Sequence, residues 1–327
     1  MRLRLATFNV ENLGDDPKAS VLLQDRLAVL RPQLEALAAD VLCLQEVHAQ
    51  REGPGTLRQL RALRTLLEGT RYQHCALIPS VGPRGDGPQD HHNLVVVTHL
   101  PIQTFESLHH RFVPPPSWRS VTANPPQEAA QPVAFDRPAQ HVALTLPGGR
   151  TLHVFNVHLR APLAAPVPGQ KEGPFVWRST PGWAEGFLLA AWKSTAQALD
   201  VRLAVDAVLD GDPNAWVVVA GDFNAGERET PVRLLCADPE DTGNGALAGR
   251  SLHPLALRVG EPQRYTVLHA GQARVLDHVL CSRGMLPFVT QVAIHNAGLP
   301  DEVVAEHLAP PPPESHHAPM VVEFDVP

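Results

Sequence analysis

Residues 24–47 read QDRLAVLRPQLEALAADVLCLQEV. Over 24–39 the apolar residues recur at intervals of three and four, which predicts a helix. Pro32 falls inside that pattern and either kinks the helix or marks one of its ends. Over 40–47 the pattern becomes an apolar run of strand length that stops at the polar pair Gln45-Glu46. Upstream, residues 3–10 alternate as a strand does. Strand, helix and strand in close succession make a βαβ unit, which implies locally parallel strands.

Downstream, a second helix is predicted over 55–68 and strands over 72–78 and 93–100, around a loop rich in Gly, Pro and Asp (79–92). AQHVALTLPGGRTLHVFNVHL (139–159) predicts a hairpin whose PGG turn supplies glycines for positive φ. The proline-rich stretch 113–132 excludes regular structure. It lies within the strand pattern and reads as a long surface loop, as does 160–182, so one domain over 1–327 is expected. A long helix follows at 184–209, then a buried strand at 215–221 and a helix opening at Thr230-Pro231. An irregular stretch (238–263) precedes strands near 274–281, 287–295 and 318–326. The expected class is α/β, with two packed mixed β-sheets flanked by helices.

Hydrophobic residues make up 44% and charged residues 19%, as in a well-buried globular chain. The net charge of −7 argues against a globally basic nucleic-acid clamp. It leaves room for a local positive groove or a metal ion. The N-terminus lacks the pattern of a signal peptide, and WVVVA (216–220) is too short to span a bilayer. Cys43, Cys75, Cys236 and Cys281 are widely separated, as reduced structural thiols are. A cytoplasmic location and a monomer are expected. Motifs for ATP hydrolysis, dinucleotide redox, zinc-protease and serine-hydrolase chemistry are missing from the sequence.

Several strand ends finish in polar residues that a core would not choose. Asn9, Glu11 and Asn12 end the first strand, and Glu46 ends the second. Asn156 and His158 share one face of a strand, because residues i and i+2 point the same way. Asp222 and Asn224 emerge from a buried strand through Gly221. Asp277 sits in the apolar run VLDHVL, where a carboxylate is costly unless paired, and a histidine is the obvious partner. Any single one of these is better read as loop chemistry or an edge residue than as a site. Together they are much less expected by chance. The histidine pairs His91-His92 and His109-His110 read as solvated loops, with one of the first pair a candidate for the site rim.

TFNVENL, LQEV, NLVVVTHLPI, FDRP, FNVHL, GDFN, LDHVL and SHHAP occur in the order found in the endonuclease/exonuclease/phosphatase superfamily. That group includes DNase I-like nucleases, abasic-site endonucleases, sphingomyelinases and inositol-phosphate phosphatases. The chain resembles it from residue 3 to 326. The resemblance implies a four-layered α/β sandwich and a metal-dependent phosphoesterase. A nuclease-like phosphodiester hydrolase using in-line attack of water is the leading expectation. A phosphatase or phosphodiesterase of small molecules or lipid headgroups is the alternative, and a non-catalytic phosphate-ligand or protein-binding descendant the second.

The resemblance also implies roles for residues. Glu46 is similar to the principal metal ligand, with Asn9 and Glu11 near the metal. His158 and Asn224 resemble phosphate contacts, and Asp222 the residue that orients or deprotonates water. His317 resembles the catalytic histidine, held by Asp277. Asn156, Arg137 and Asn93 are candidate substrate contacts. The family pattern Ser-Asp-His is replaced by Ser315-His316-His317. His316 is therefore read either as a nitrogen ligand favouring Mn²⁺ over Mg²⁺ or as a neutral filler. The expected cofactor is a divalent metal, Mg²⁺ or Mn²⁺, and the expected partner a phosphoester substrate, with nucleic acid among the candidates.

Overall fold

A computed structural model describes residues 1–53, 55–305, 307–308 and 311–327. The first strand β1 (Arg2–Leu13), helix α1 (Leu23–Leu37) and strand β2 (Val41–Val47) form the expected βαβ unit, with Leu5 opposite Val41 in a parallel pair. Pro32 lies inside α1 on its exposed side, while Leu30, Leu34 and Leu37 face the core. Helix α2 (Arg61–Leu67) is shorter than 55–68 because Gln59 exchanges backbone hydrogen bonds with Gln50, which holds the preceding chain extended. Strand β3 (Ala76–Pro79) starts later than the expected 72–78. Tyr72 is instead buried beneath α1, its hydroxyl bonded to Leu34 and Ala39.

Strand β4 (Asn93–Thr98) is fully buried, and β5 (Ile102–Leu108) is an exposed edge strand that the sequence pattern did not predict. The proline-rich stretch carries a small ladder of β6 (Ser117–Trp118) and β7 (Gln131–Pro132), a correction to its reading as wholly irregular. Strands β8 (Ala139–Thr145) and β9 (Thr151–His158) form the predicted hairpin. Helix α3 (Thr180–Gly211) starts early because the Ser179 side chain caps it, accepting from the Gly182 N–H. Strand β10 (Trp216–Asp222) and helix α4 (Thr230–Cys236) fall where expected, with Pro231 in the first turn of α4. The region read as irregular contains β11 (Leu252–Pro254). The remaining strands are β12 (Val267–His269), β13 (Gln272–Arg274), β14 (Asp277–Ser282), β15 (Val289–Ile294) and β16 (Met320–Asp325).

Two six-stranded mixed sheets result, in the orders β15-β16-β1-β2-β4-β3 and β11-β14-β10-β9-β8-β5. Alternation along each strand divides its apolar residues between two faces. Leu3, Leu5, Cys43, Val154, Val218 and Val279 pack together between the sheets. Phe8, Leu42 and Leu44 pack against α1 and α2 on one outer face. Phe155, Val217 and Val219 pack against α3 and α4 on the other. Each fully buried Val, Leu or Phe contributes roughly 1.5–3 kcal/mol. The layers are thus helix, sheet, sheet, helix, with the largest apolar cluster in the middle.

Candidate active site

The face between the sheets changes character along each strand. On β1 it runs Leu3, Leu5, Thr7, Asn9; on β9, Leu152, Val154, Asn156, His158; on β10, Val218, Ala220, Asp222. The parallel pairing of β9 and β10 sets His158 directly beside Asp222. Strand β14 runs the other way and begins at this edge, so Asp277 is the partner of Asp222 on its other side. Strands β4 and β16 are antiparallel to β2 and β1 and also begin here, just after His92 and His317. One edge of the sandwich therefore collects the polar ends of strands from both sheets.

Glu46 does not belong to this face by alternation, since Leu42 and Leu44 point to the helices. The register of β2 against β4 shifts between Leu44 and Val47, and Glu46 adopts φ 60°. This irregularity turns its carboxylate into the site, as bulges often do. Glu11, Asn12, His92 and Asn224 also have left-handed backbones, with φ of 46°, 52°, 56° and 48°. Such conformations are costly for non-glycine residues and cluster where side chains must be aimed. Gly221 precedes Asp222 at φ 147°, and a Cβ there would lie 1.9 Å from the Val157 carbonyl. Only glycine lets the two strands approach so closely.

Asn9 is the hub. Its Nδ2 donates to Asp222 Oδ2 (3.0 Å) and Glu46 Oε1 (3.2 Å), while its Oδ1 accepts the Glu11 N–H. Its amide oxygen is thus occupied, and the residue acts by holding two carboxylates together. Glu46 Oε2 accepts from the Asn12 N–H at 3.1 Å. Asn224 donates from its backbone and side chain to Asp222, and its Nδ2 also reaches the Leu159 carbonyl. Asp222 is 1% exposed. Burial pushes its pKa up to about 7; His317 opposes the shift and Asp277 adds to it.

His317 donates Nδ1–H to Asp277 Oδ2 at 2.8 Å and turns Nε2 toward Asp222, 3.9 Å away. Burial disfavours its charge, but Asp277 and Asp222 prevail and raise its pKa well above the usual histidine value. His158 behaves oppositely. Burial and the adjacent Arg137 hold it neutral, with a pKa well below the ordinary one. Arg137 hydrogen-bonds to His158 Nδ1. A guanidinium only donates, so the imidazole proton must sit on Nε2. That N–H faces Asp222 Oδ2 (3.4 Å) and Glu46 Oε1 (3.7 Å).

Glu11 and His316 satisfy each other. Both Glu11 oxygens lie 2.9 Å from His316 Nδ1, and the His316 N–H also donates to Glu11. The bond to Glu11 raises the pKa of His316, and the same contact lowers that of Glu11 against the effect of burial. The pair is an internal ion pair, so the expectation that Glu11 offers a free carboxylate to a metal needs correction.

Two other expectations change. Asn156 is fully buried: it accepts from Gln45 Nε2 (2.8 Å) and donates to the Leu44 carbonyl, tying the two sheets together. Asn93 donates to the Val47 and Gln89 carbonyls and accepts the Gln89 N–H, clamping the preceding loop. Neither faces the open end of the site as a substrate contact would.

Arg26 escaped the sequence, and His92 was expected only as one of a pair with a candidate for the site rim. His92 brings Nδ1 to 3.6 Å from Glu46 Oε2, and burial holds it below its usual pKa. Arg26 on α1 bonds to the carbonyls of Val10, Glu11 and Pro313, pinning the end of β1 to the loop that carries His316. A basic residue on a helix carries no signal that would single it out, and the histidine pair before Asn93 carries no signal of which member turns inward.

Glu46, His92 and His158 bring donor atoms within 4.8 Å of one another, as do Asp222, Asp277 and His317. In the second set Asp277 Oδ2 holds His317 Nδ1 and Asp222 is bonded by Asn9 and Asn224, while Asp277 Oδ1 has no hydrogen-bond partner among the described residues. The first fits a divalent cation, because Glu46 retains carboxylate capacity and the buried His92 Nδ1 has no hydrogen-bond partner among the described residues.

The model of the Endonuclease/Exonuclease/phosphatase family matches residues 6–299. No curated protein matches the chain. Among solved structures, an endonuclease/exonuclease/phosphatase family protein from Bacteroides thetaiotaomicron is 16% identical with a TM-score of 0.58, covering 100% of this chain and 96% of that one. Truncated Caenorhabditis elegans TDP2 is 13% identical with a TM-score of 0.57, covering 99% and 97%. A Bacteroides thetaiotaomicron mannosyl-6-phosphatase is 14% identical with a TM-score of 0.57, covering 99% and 100%. At these identities the likeness concerns the fold.

Proposed function

The chain belongs to the endonuclease/exonuclease/phosphatase family, and from that premise we propose that it is a metal-dependent phosphoesterase cleaving a phosphodiester by in-line attack of water. The observation that carries this reading is the convergence of Asp222 and the Asp277–His317 pair at one end of the sandwich. A carboxylate tuned to about 7 is suited to take a proton near neutral pH. An imidazolium beside it is suited to stabilise phosphoryl oxygens.

Asp222, ordered by Asn9 and Asn224, orients the attacking water and accepts its proton. His317, fixed by Asp277, directs a charged N–H at the phosphoryl group. His158 offers its Nε2–H to another phosphoryl oxygen, and the half-buried Arg137 behind it fixes that tautomer. Glu46, steadied by Asn9 and Asn12, would hold a divalent cation, Mg²⁺ or Mn²⁺. When bound, that cation neutralises charge developing on the phosphoryl and leaving oxygens. Asn9 Nδ2 bonds to both Asp222 and Glu46, and the Glu46 carboxylate adds to the rise in the Asp222 pKa, which such a cation would relieve.

A second reading concerns the substrate. A cavity of about 190 Å³ opens beside Asn224, with Phe187, Ala190, Ala191 and Pro231 on its apolar side and Arg160 and Glu229 among its polar lining. Trp183 packs on Phe187, and both are more than 40% exposed. The exposed Trp183–Phe187 pair beside this mixed cavity, together with the net charge of −7, supports a phosphoester bearing an aryl or lipid group over bulk nucleic acid. Hydrolysis of bis-(p-nitrophenyl) phosphate, plasmid DNA and a lipid phosphodiester with Mg²⁺ or Mn²⁺ tests both readings. Turnover of none of these substrates overturns the proposal, and turnover of DNA alone overturns the preference for an apolar group.

A further inference from the structure

We propose that His92 is a nitrogen ligand of the cation at Glu46, so that the site binds through one carboxylate and one imidazole and selects Mn²⁺ over Mg²⁺. The inference rests on the metal-dependent reading above and adds to it a ligand and a selectivity.

Geometry comes first. His92 Nδ1 stands 3.6 Å from Glu46 Oε2. Two donors each about 2.0–2.2 Å from one ion stand roughly 3–3.6 Å apart, so one ion fits between them with little movement. The 3.6 Å separation is longer than a hydrogen bond, and Nδ1 is buried with no other partner among the described residues. A buried imidazole nitrogen left unpaired is costly, and a cation would relieve that cost.

The backbone points the same way. Glu46 and His92 adopt φ of 60° and 56°, an unfavourable choice for both side chains. The loop of His92 is tied to the segment of Glu46 by backbone and side-chain bonds. Asn93 donates to the Val47 carbonyl and accepts the Gln89 N–H, and the Ala49 N–H donates to the Asp90 carbonyl. The two donors are therefore held in register by the protein itself.

Elimination narrows the set. His158 presents an N–H, because Arg137 occupies its other nitrogen, so it serves as a donor and not a ligand. Glu11, which would supply a second carboxylate, is engaged by His316. Within the group of Glu46, His92 and His158, what remains is one oxygen and one nitrogen. Carboxylates and water suffice for Mg²⁺, whereas an imidazole in the set favours transition metals.

The full chain, stripped of metal, is titrated with Mn²⁺ and with Mg²⁺ by calorimetry, and bound Mn²⁺ is followed by pulsed electron paramagnetic resonance for coupling to ¹⁴N. Wild type is expected to bind Mn²⁺ with histidine nitrogen coupling and at least about tenfold more tightly than Mg²⁺. His92→Ala loses the coupling and most of that preference. His92→Gln, which returns an oxygen donor, shifts the preference toward Mg²⁺ without restoring the coupling. His91→Ala, at the exposed neighbouring position, behaves as wild type. Nitrogen coupling that persists in His92→Ala, or an unchanged Mn²⁺ preference, overturns the assignment while leaving metal dependence intact. Failure of both cations to bind wild type, or binding unaffected by Glu46→Ala, overturns the underlying metal site as well.

Discussion

Asp277 accepts a 2.8 Å hydrogen bond from Nδ1 of His317, and the bond aims Nε2 of that histidine at Asp222. Asp277 is the first residue of β14 and is 1% exposed, so its position is set by the sheet. The sheet thus orients the imidazole, which itself lies just outside the last strand. Asp277→Asn keeps the shape but removes the charge that holds His317 protonated. We expect kcat to fall about 100-fold or more with KM little changed. Steady-state kinetics on bis-(p-nitrophenyl) phosphate check this, and an unchanged kcat would remove His317 from the chemistry.

Activity should follow the ionisation of the Asp222–His317 pair. Asp222 must lose its proton to act as a base, so kcat/KM rises with pH on a limb set by Asp222, whose pKa burial pushes up to about 7. A bound cation would move that limb lower. The falling limb lies above the usual histidine range, because His317 must stay protonated and its pKa is raised. A pH–rate profile with no rising limb in wild type, or one unchanged in His317→Ala, contradicts the assignment.

Glu185 on α3 governs a separate, structural property. It accepts from the Trp118 indole, the Val121 and Thr122 N–H groups and the Thr122 hydroxyl, and so anchors the proline-rich loop. Burial works against its charge, but these bonds prevail and lower its pKa to about 2. A lowered carboxyl contributes stability that is present above its unfolded value and lost as pH falls toward 2. Glu185→Gln should cost about 1–3 kcal/mol at neutral pH and flatten the acid limb of the stability curve. Denaturant unfolding at a series of pH values measures both effects.

Ala191 tests the cavity beside Asn224. Ala191→Leu fills part of its volume without adding a polar group. We expect KM for an aryl phosphodiester to rise about tenfold, while that for dimethyl phosphate stays within about twofold. Equal effects on both substrates would show that the cavity is not a substrate subsite.

Much of this arrangement was legible in the sequence because alternation fixes which strand residues share a face. An apolar residue followed two positions later by a polar one, as Val154 is by Asn156 and then His158, marks where a buried face opens. The same rule could not separate Asn156 from His158, since a buried amide serves equally well to join two sheets. Glu46 is a different case. Its motif was readable, but the register shift that turns it away from Leu42 and Leu44 is a three-dimensional event. His92 was legible only as one of a pair with a candidate for the site rim, because consecutive histidines in a polar loop look solvated; the clamp at Asn93 brings it against Glu46. The edge strand β5 was missed for the opposite reason: most of its residues are exposed, so it has no buried face to betray it.

The decisive comparison is the hydrolysis of bis-(p-nitrophenyl) phosphate by wild type and by Asp222→Asn, after each is stripped of metal and then supplied with Mn²⁺ or Mg²⁺. If Asp222 is the base of a metal-dependent reaction, wild type turns over only with added cation. Asp222→Asn then loses about 1,000-fold in kcat while keeping its fold and metal affinity. Turnover in the presence of chelator, or an Asp222→Asn variant as active as wild type, would contradict that assignment.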